Sequence, residues 1–412
     1  MSASKAPGAY AGWAAAELFF TIGVAVAILF AVLSGSIAKE LGLSQAQLGQ
    51  LSGLYTLAYS AGQLILGLAL SSKNVKLILG VGSAVGGAGC FLLSTSSGYS
   101  SALLAQILLG LGVSGTFVGL IFLIGRDFPA NFSFMSSLSQ SITNIAGAGL
   151  SILASLTPWL SNFRLTFRVV AIVLIGVAVV QFLLVRGSPA GAHAEEAAHT
   201  PFGEALKMAV ANFQFWAALV FYAGLFGTML AFANLWNIQF QINNFGNTPQ
   251  ESAMMNAMIA IGITVGSIIA GAWSKKAGFV LPARAFGILT VIVFVVMALL
   301  PLPRWDATTL ILVMGFGLAG SILGLSVLHA HLPAAATAVA TSLVVTAAFV
   351  HGAILQTVIG SSLASASKEV VSGVPEGMFK IYQHGMVWLI GSVVLASLAS
   401  FFFKAPPQKS GA

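Results

Sequence analysis

Charge is what this chain has least of. Asp, Glu, Lys and Arg together make up 7% of its 412 residues, where an ordinary soluble domain carries roughly a quarter. So few charges cannot coat a water-facing surface, so lipid must be the solvent for most of the exterior. The remainder agrees: 58% of residues are hydrophobic and the mean hydropathy is +0.97. Cysteine is nearly missing as well. Cys90 is the single one, so no internal disulfide can form, and its place inside an apolar run reads as a small core residue. Catalytic signatures are absent: no Gly-x-x-x-x-Gly-Lys-Ser/Thr, no His-Glu-x-x-His, and no pair of carboxylates within an apolar run. The reading is therefore of a non-enzyme with no cofactor and no metal. The net charge of +7 does not indicate nucleic acid, because the basic residues sit in short gaps between apolar runs and form no aromatic-basic patch.

Lipid offers backbone groups no hydrogen bonds, so spanning segments must be helices or a closed barrel. The apolar runs here are continuous over about 20 residues, the length of a membrane helix, where barrel strands would alternate over about ten. Twelve such runs are expected near 12–35, 46–71, 76–96, 100–125, 134–158, 166–186, 211–238, 251–274, 281–301, 307–329, 336–364 and 380–403. The longest polar stretch, 187–210, separates the sixth from the seventh. It ends in a short helix signal, with Thr200 as N-cap and Pro201 at the first helical position. The expected organisation is a six-helix bundle over 1–186, a cytoplasmic linker with an interfacial helix over 187–210, and a second six-helix bundle over 211–412. Glycines such as Gly82 and Gly86 inside the third run are spaced for close helix packing.

Orientation follows from the positive-inside rule. With the N-terminus inside, eleven of the seventeen Lys and Arg residues fall on the cytoplasmic side and six outside. Both termini are therefore expected in the cytoplasm, in a bacterial inner membrane. The two halves also repeat. Gly67 to Lys76 after the second run, with Ser71 and Asn74, matches Gly271 to Gly278 after the eighth, with Lys275 and Lys276. Each is a small residue closing a helix, followed by a tight basic turn. Repeats of this kind recur in secondary transporters.

On these features the chain resembles the major facilitator superfamily over essentially its whole length. The family signature Gly-x-x-x-Asp-Arg-x-Gly-x-Arg appears as Gly67, Ser71, Ser72, Asn74 and Lys76; its second-half counterpart has Lys275 where Asp is usual. Both halves thus lack the carboxylate that latches one conformation in the family. In the fourth run Gly110 and Gly112 are kept, with Gln106 in place of the family's Arg. The fifth run lacks the Gly-Pro repeat of drug–proton antiporters, which favours uptake. The resemblance implies an all-α fold of two six-helix bundles and transport by alternating access, with a site between spans 1, 4, 7 and 10. The expected partners are a small organic solute, membrane lipid and a co-transported proton, with the chain acting as a monomer. Proton-coupled efflux and a non-transporting sensor are the alternative functions.

Polar groups inside spans are the candidate site residues, since a membrane interior penalises them. In the first half these are Tyr55, Tyr59 and Gln63, which share one helix face; Gln106; and Gln140 and Asn144, again one turn apart. In the second half they are Tyr222, Asn234, Trp236, Asn256 and His351. Glu17 is the one acid placed inside a span, and its nearness to the inner end predicts an interfacial, snorkelling carboxylate. His351 lies near mid-span, either as a proton-coupling group or as a neutral imidazole bonded to a carbonyl. No buried cationic pair is available for a multiply charged anion, so the expected solute is neutral, zwitterionic or weakly charged.

Overall fold

The fold is described from a computed structural model, over residues 8–69, 75–128, 132–156, 162–187, 202–300, 304–371 and 378–405. Among the described residues there is no strand, and almost everything is helix. The first half holds α1 (Ala9–Leu41), α2 (Gln45–Ala69), α3 (Val75–Ser94), α4 (Tyr99–Val113), α5 (Gly115–Asp127), α6 (Phe132–Leu156) and α7 (Phe163–Leu184). A short helix, α8 (Phe202–Ala211), stands where the interfacial helix was expected; Thr200 and Pro201, assigned to its start, lie outside the described residues. The second half holds α9 (Phe213–Ala231), α10 (Asn237–Phe245), α11 (Pro249–Ala277), α12 (Val280–Leu299), α13 (Arg304–Leu318), α14 (Ile322–His331), α15 (Ala334–Val371) and α16 (Met378–Ser400).

Ten crossings are long and apolar enough by themselves to span a bilayer. The 25-residue helices α2 and α6 occupy the remaining two of the twelve expected places. Three crossings are broken, which hydropathy did not foresee. The fourth divides at Ser114, where the backbone N–H bonds back to Leu111, three residues earlier. The seventh contains a π turn over Phe232–Trp236, and the tenth a 3₁₀ turn over Ala319–Ser321. Such departures loosen the regular ladder and redirect carbonyl groups.

The chain divides into two compact units, Met1–Leu43 with Leu54–Ala198, and Ser44–Gly53 with His199–Ala412. The start of α2 is thus grouped with the second unit. In the first unit, Gly82 and Gly86 of α3 both meet Gly112 of α4; a Cβ at Gly82 would lie 2.8 Å from the Gly112 carbonyl oxygen. With no hydrophobic drive between helices in lipid, this kind of backbone approach is what packs them.

The same scheme recurs in the second unit. Gly110 lies against the Tyr55 carbonyl of α2 and Gly112 against Gly86 of α3. Gly315 lies against the Ile259 carbonyl of α11 and Gly317 against Thr290 of α12. The tenth crossing therefore packs on the eighth and ninth as the fourth packs on the second and third. The internal repeat is carried by packing geometry as well as by the basic turns.

Loop chemistry closes these helices. Thr248 and Glu251 form a reciprocal capping box at the start of α11, with Pro249 at the first helical position. The other end of α11 stops at Gly278, whose φ of +72° suits glycine alone, after Lys275 and Lys276 in the last turn.

Candidate functional site

In the first unit the polar residues on α2 and α4 form one neighbourhood. Tyr55 and Tyr59 are half-buried and their rings stack at 6.5 Å, with Gln63 half-buried a turn further on. Gly110 brings α4 onto the α2 backbone at Tyr55, so the turn of α4 preceding Gly110 is held close to that stripe. Gln106 occupies that turn. Its side chain is 1% exposed, and neither the oxygen nor the nitrogen of its amide has a hydrogen-bond partner. Four residues before Gly315, in the equivalent place of the second unit, stands the buried Ile311. The packing scheme therefore accepts an apolar residue here.

On α6 the structure separates two adjacent faces. Gln140 and Asn144 are exposed and bond to each other, Nε2 to Oδ1 at 3.2 Å, so they seal no helix contact. Ser139 and Thr143 face α1. The Trp13 indole N–H donates to Ser139 Oγ at 2.9 Å, and Thr143 donates to Glu17 Oε1 at 3.0 Å. Thr21 Oγ1 lies 3.2 Å from Thr143 Oγ1. The interfacial reading of Glu17 is thereby corrected: the side chain is 5% exposed, because α6 supplies hydroxyl groups that remove any need to reach for the headgroups. Another buried polar pair, Ser83 to Gln181 at 2.7 Å, joins α3 to α7.

In the second unit the π turn organises the polar residues. Side chains bond carbonyls in and next to it: Gln356 Nε2 donates to Leu230 at 3.2 Å, and Asn256 Nδ2 to Ala233 at 3.0 Å. Asn256 Oδ1 in turn accepts from Asn237 at 2.7 Å. Trp236 is buried and donates its indole N–H to the Gln356 carbonyl at 3.2 Å. Asn234 is half-buried within the turn, and Tyr222 is buried with its ring stacked on Phe226 at 5.3 Å. Trp236 and Asn256 thus serve the turn itself.

His351 lies half-buried on α15, with Nε2 at 2.7 Å from Ser392 Oγ. Ser392 also accepts from Thr228 at 2.9 Å and donates to the Gly224 carbonyl at 3.1 Å. Its one hydrogen is thus committed, so the ring nitrogen donates, which requires a proton on Nε2. Gly227 makes room for the ring: a Cβ there would lie 2.8 Å from His351 Cδ2. The partner is a hydroxyl and not the carbonyl that the sequence pointed to.

The motif residues are less informative. Ser71 and Asn74 lie outside the described residues, and Gly67 is in the last turns of α2. Lys76 is half-buried in the first turn of α3. Gly271 faces open space, and Lys275 and Lys276 are exposed. Sequence reasoning missed Ser139, Ser392 and Thr228. Single hydroxyls in membrane helices ordinarily bond their own backbone, so only a facing partner distinguishes these.

None of the curated proteins matches this chain in sequence. Solved structures do match in fold. A bacterial homologue of the human lysosomal transporter Spinster, inward-facing and unoccupied, superposes with a TM-score of 0.79 at 15% identity, covering 96% of this chain and 98% of that one. The occupied inward-facing form of that homologue gives 0.75 at 14% identity, over 95% of each chain. The nucleoside transporter NupG gives 0.69 at 15% identity, over 95% of this chain and all of that one. Residues 17–356 match the family description of the Major Facilitator Superfamily. With ten apolar crossings among the described residues and a family match over most of its length, the chain belongs to the Major Facilitator Superfamily, a family of multi-pass membrane transport proteins.

Proposed function

We propose that this protein moves a small organic solute, neutral, zwitterionic or weakly charged, across the cytoplasmic membrane by alternating access, as an uptake symporter or uniporter. The observation that carries this reading is Gln106. A buried amide with neither atom satisfied is costly in an apolar medium, and its repeat-related position is apolar. An amide offers one acceptor and two donor hydrogens, which suits a hydroxyl, carboxamide or ring-nitrogen edge and gives no charge selection. The stacked Tyr55 and Tyr59 on α2, the helix that Gly110 packs against, add flat apolar faces with polar tips. In this reading both termini face the cytoplasm, the membrane is a bacterial inner membrane, and the chain works as a monomer without catalytic chemistry.

The test starts from a melting screen of detergent-purified protein against metabolites, nucleosides and other uncharged ring-bearing solutes among them. A ligand that binds the folded state raises the melting temperature by mass action. Compounds that do so are then loaded into proteoliposomes for counterflow. Counterflow of a neutral or zwitterionic solute, abolished in Gln106→Leu, is the expected result. A chain that binds such a solute but catalyses no counterflow is a sensor, and the transport reading falls.

A further inference from the structure

Among the described residues Glu17 is the one acid held within a crossing away from its ends. The others, Glu40, Asp127, Glu204, Glu251, Asp306 and Glu369, stand in terminal turns or on the short α8. Glu17 is the ninth residue of α1, so it lies about 12 Å along the helix axis from Ala9. One carboxylate oxygen accepts from Thr143; the other, Oε2, is buried and has no partner.

Among the described residues no cation answers this charge. The charged side chains on the helices packed against α1 are Arg126 and Asp127 on α5 and Arg164 and Arg168 on α7, with none on α4 or α6. Arg126 is paired with Asp127 at 2.7 Å, Arg164 with Glu40 at 3.0 Å, and Arg168 is exposed. Arg186, just beyond α7, packs against Gly8 at the start of α1. A buried carboxylate without a counter-charge costs several kcal/mol in such surroundings, so a single positive charge belongs beside it.

The neighbouring atoms say which kind. Glu17 and Thr21 are one turn apart on α1; Ser139 and Thr143 are one turn apart on α6. Thr143 bonds Glu17 directly, Thr21 stands against Thr143, and Ser139 is held by Trp13, one turn before Glu17 on α1. Two helices thus bring four oxygen-bearing side chains together, with no nitrogen or sulfur ligand among them. Oxygen sets of this type select hard cations, and one carboxylate neutralises a monovalent ion and no more. Sodium is close to calcium in size, and two oxygens each roughly 2.4 Å from such an ion stand about 3.0–3.4 Å apart. The observed separations are 3.0 Å for Thr143 to Glu17 and 3.2 Å for Thr21 to Thr143. A proton needs one oxygen only and leaves the convergence of four unexplained. The Trp13 bond to Ser139 fixes that hydroxyl in place.

We propose that Glu17, Thr21, Ser139 and Thr143 form a sodium-binding site between α1 and α6. Its use as the coupling ion rests on the transport reading; binding itself does not. The experiment is a melting titration of the full chain in detergent at fixed pH and ionic strength, exchanging choline chloride for NaCl or KCl. Sodium raises the melting temperature saturably, with potassium at least tenfold weaker. Glu17→Gln and Thr143→Val each shift the sodium midpoint upward by tenfold or more. If Glu17→Gln does not fold, Thr143→Val and Ser139→Ala carry the comparison. Equal responses to sodium, potassium and choline overturn the site, as does a sodium response unchanged in the variants. A response to pH alone, lost in Glu17→Gln, makes the carboxylate a proton carrier and also overturns it. Counterflow is measured in parallel with and without sodium. Sodium-indifferent counterflow removes the coupling role and leaves transport standing, whereas sodium binding without counterflow of any solute leaves the site and removes transport.

Discussion

Replacing Gln106 by leucine separates the two things a buried amide can do. Both polar atoms of Gln106 are buried without partners, and such groups cost about 1–3 kcal/mol of stability. Leucine nearly matches glutamine in volume, so the change neither opens a large cavity nor overpacks the helix contact. Ile311 shows that the repeated packing scheme works with an aliphatic residue at this place. The variant should therefore be more stable than the parent by about 1–3 kcal/mol. In a chain of this length that raises the melting temperature by roughly 1–3 °C. Counterflow of the transported solute should fall at least tenfold, the effect of losing about 1.4 kcal/mol of binding. Melting curves in detergent and counterflow in proteoliposomes are run on the same preparations. A variant that melts at or below the parent and still transports at full rate refutes the reasoning on both counts, because the amide would then be serving the fold.

The same chemical change at Gln356 should have the opposite sign. Gln356 Nε2 donates to the Leu230 carbonyl next to the π turn, so Gln356→Leu removes that bond and lowers stability by about 1 kcal/mol, read by melting. Arg164 donates to the carbonyls of Ser94 and Ser96 at 3.2 and 2.9 Å besides pairing with Glu40. Arg164→Met should therefore cost about 1–3 kcal/mol, whereas Glu40→Gln, which removes only an exposed ion pair, should cost less than about 1 kcal/mol in the same assay. A Cβ at Gly360 would lie 2.6 Å from the Gln45 carbonyl oxygen, so Gly360→Ala should destabilise by about 1–3 kcal/mol through overpacking, with Gly271→Ala, in open space, as the silent control.

The twelve crossings and the helix after the central linker were legible because lipid imposes a strong, local rule on composition. A run of about 20 apolar residues must be a helix. The repeat was legible in Gly271 to Gly278 for a similar reason: a helix end needs a small residue and tolerates cations. The breaks in the fourth, seventh and tenth crossings were not legible, because a π or 3₁₀ turn changes hydrogen-bond partners without changing hydropathy. Glu17 was misread for a related reason. Its distance from the helix end is a sequence quantity, but the hydroxyl that holds it belongs to Thr143, more than a hundred residues away.

Polar residues that look alike in the sequence divide, in the structure, by whether a partner is present. Asn256 and Gln356 are occupied in mending the π turn, and His351 closes a network with Ser392 and Thr228. Removing any of these removes a helix contact, so loss of activity at those positions would not identify a binding residue. Gln106 and the free oxygen of Glu17 differ, since neither supports a neighbouring helix through its unsatisfied atoms. A group that costs stability, and whose place the repeat fills with an aliphatic side chain, is retained for something outside the fold. That logic makes an increase in melting temperature, at Gln106→Leu, a more specific sign of a solute-binding residue than a loss of transport alone.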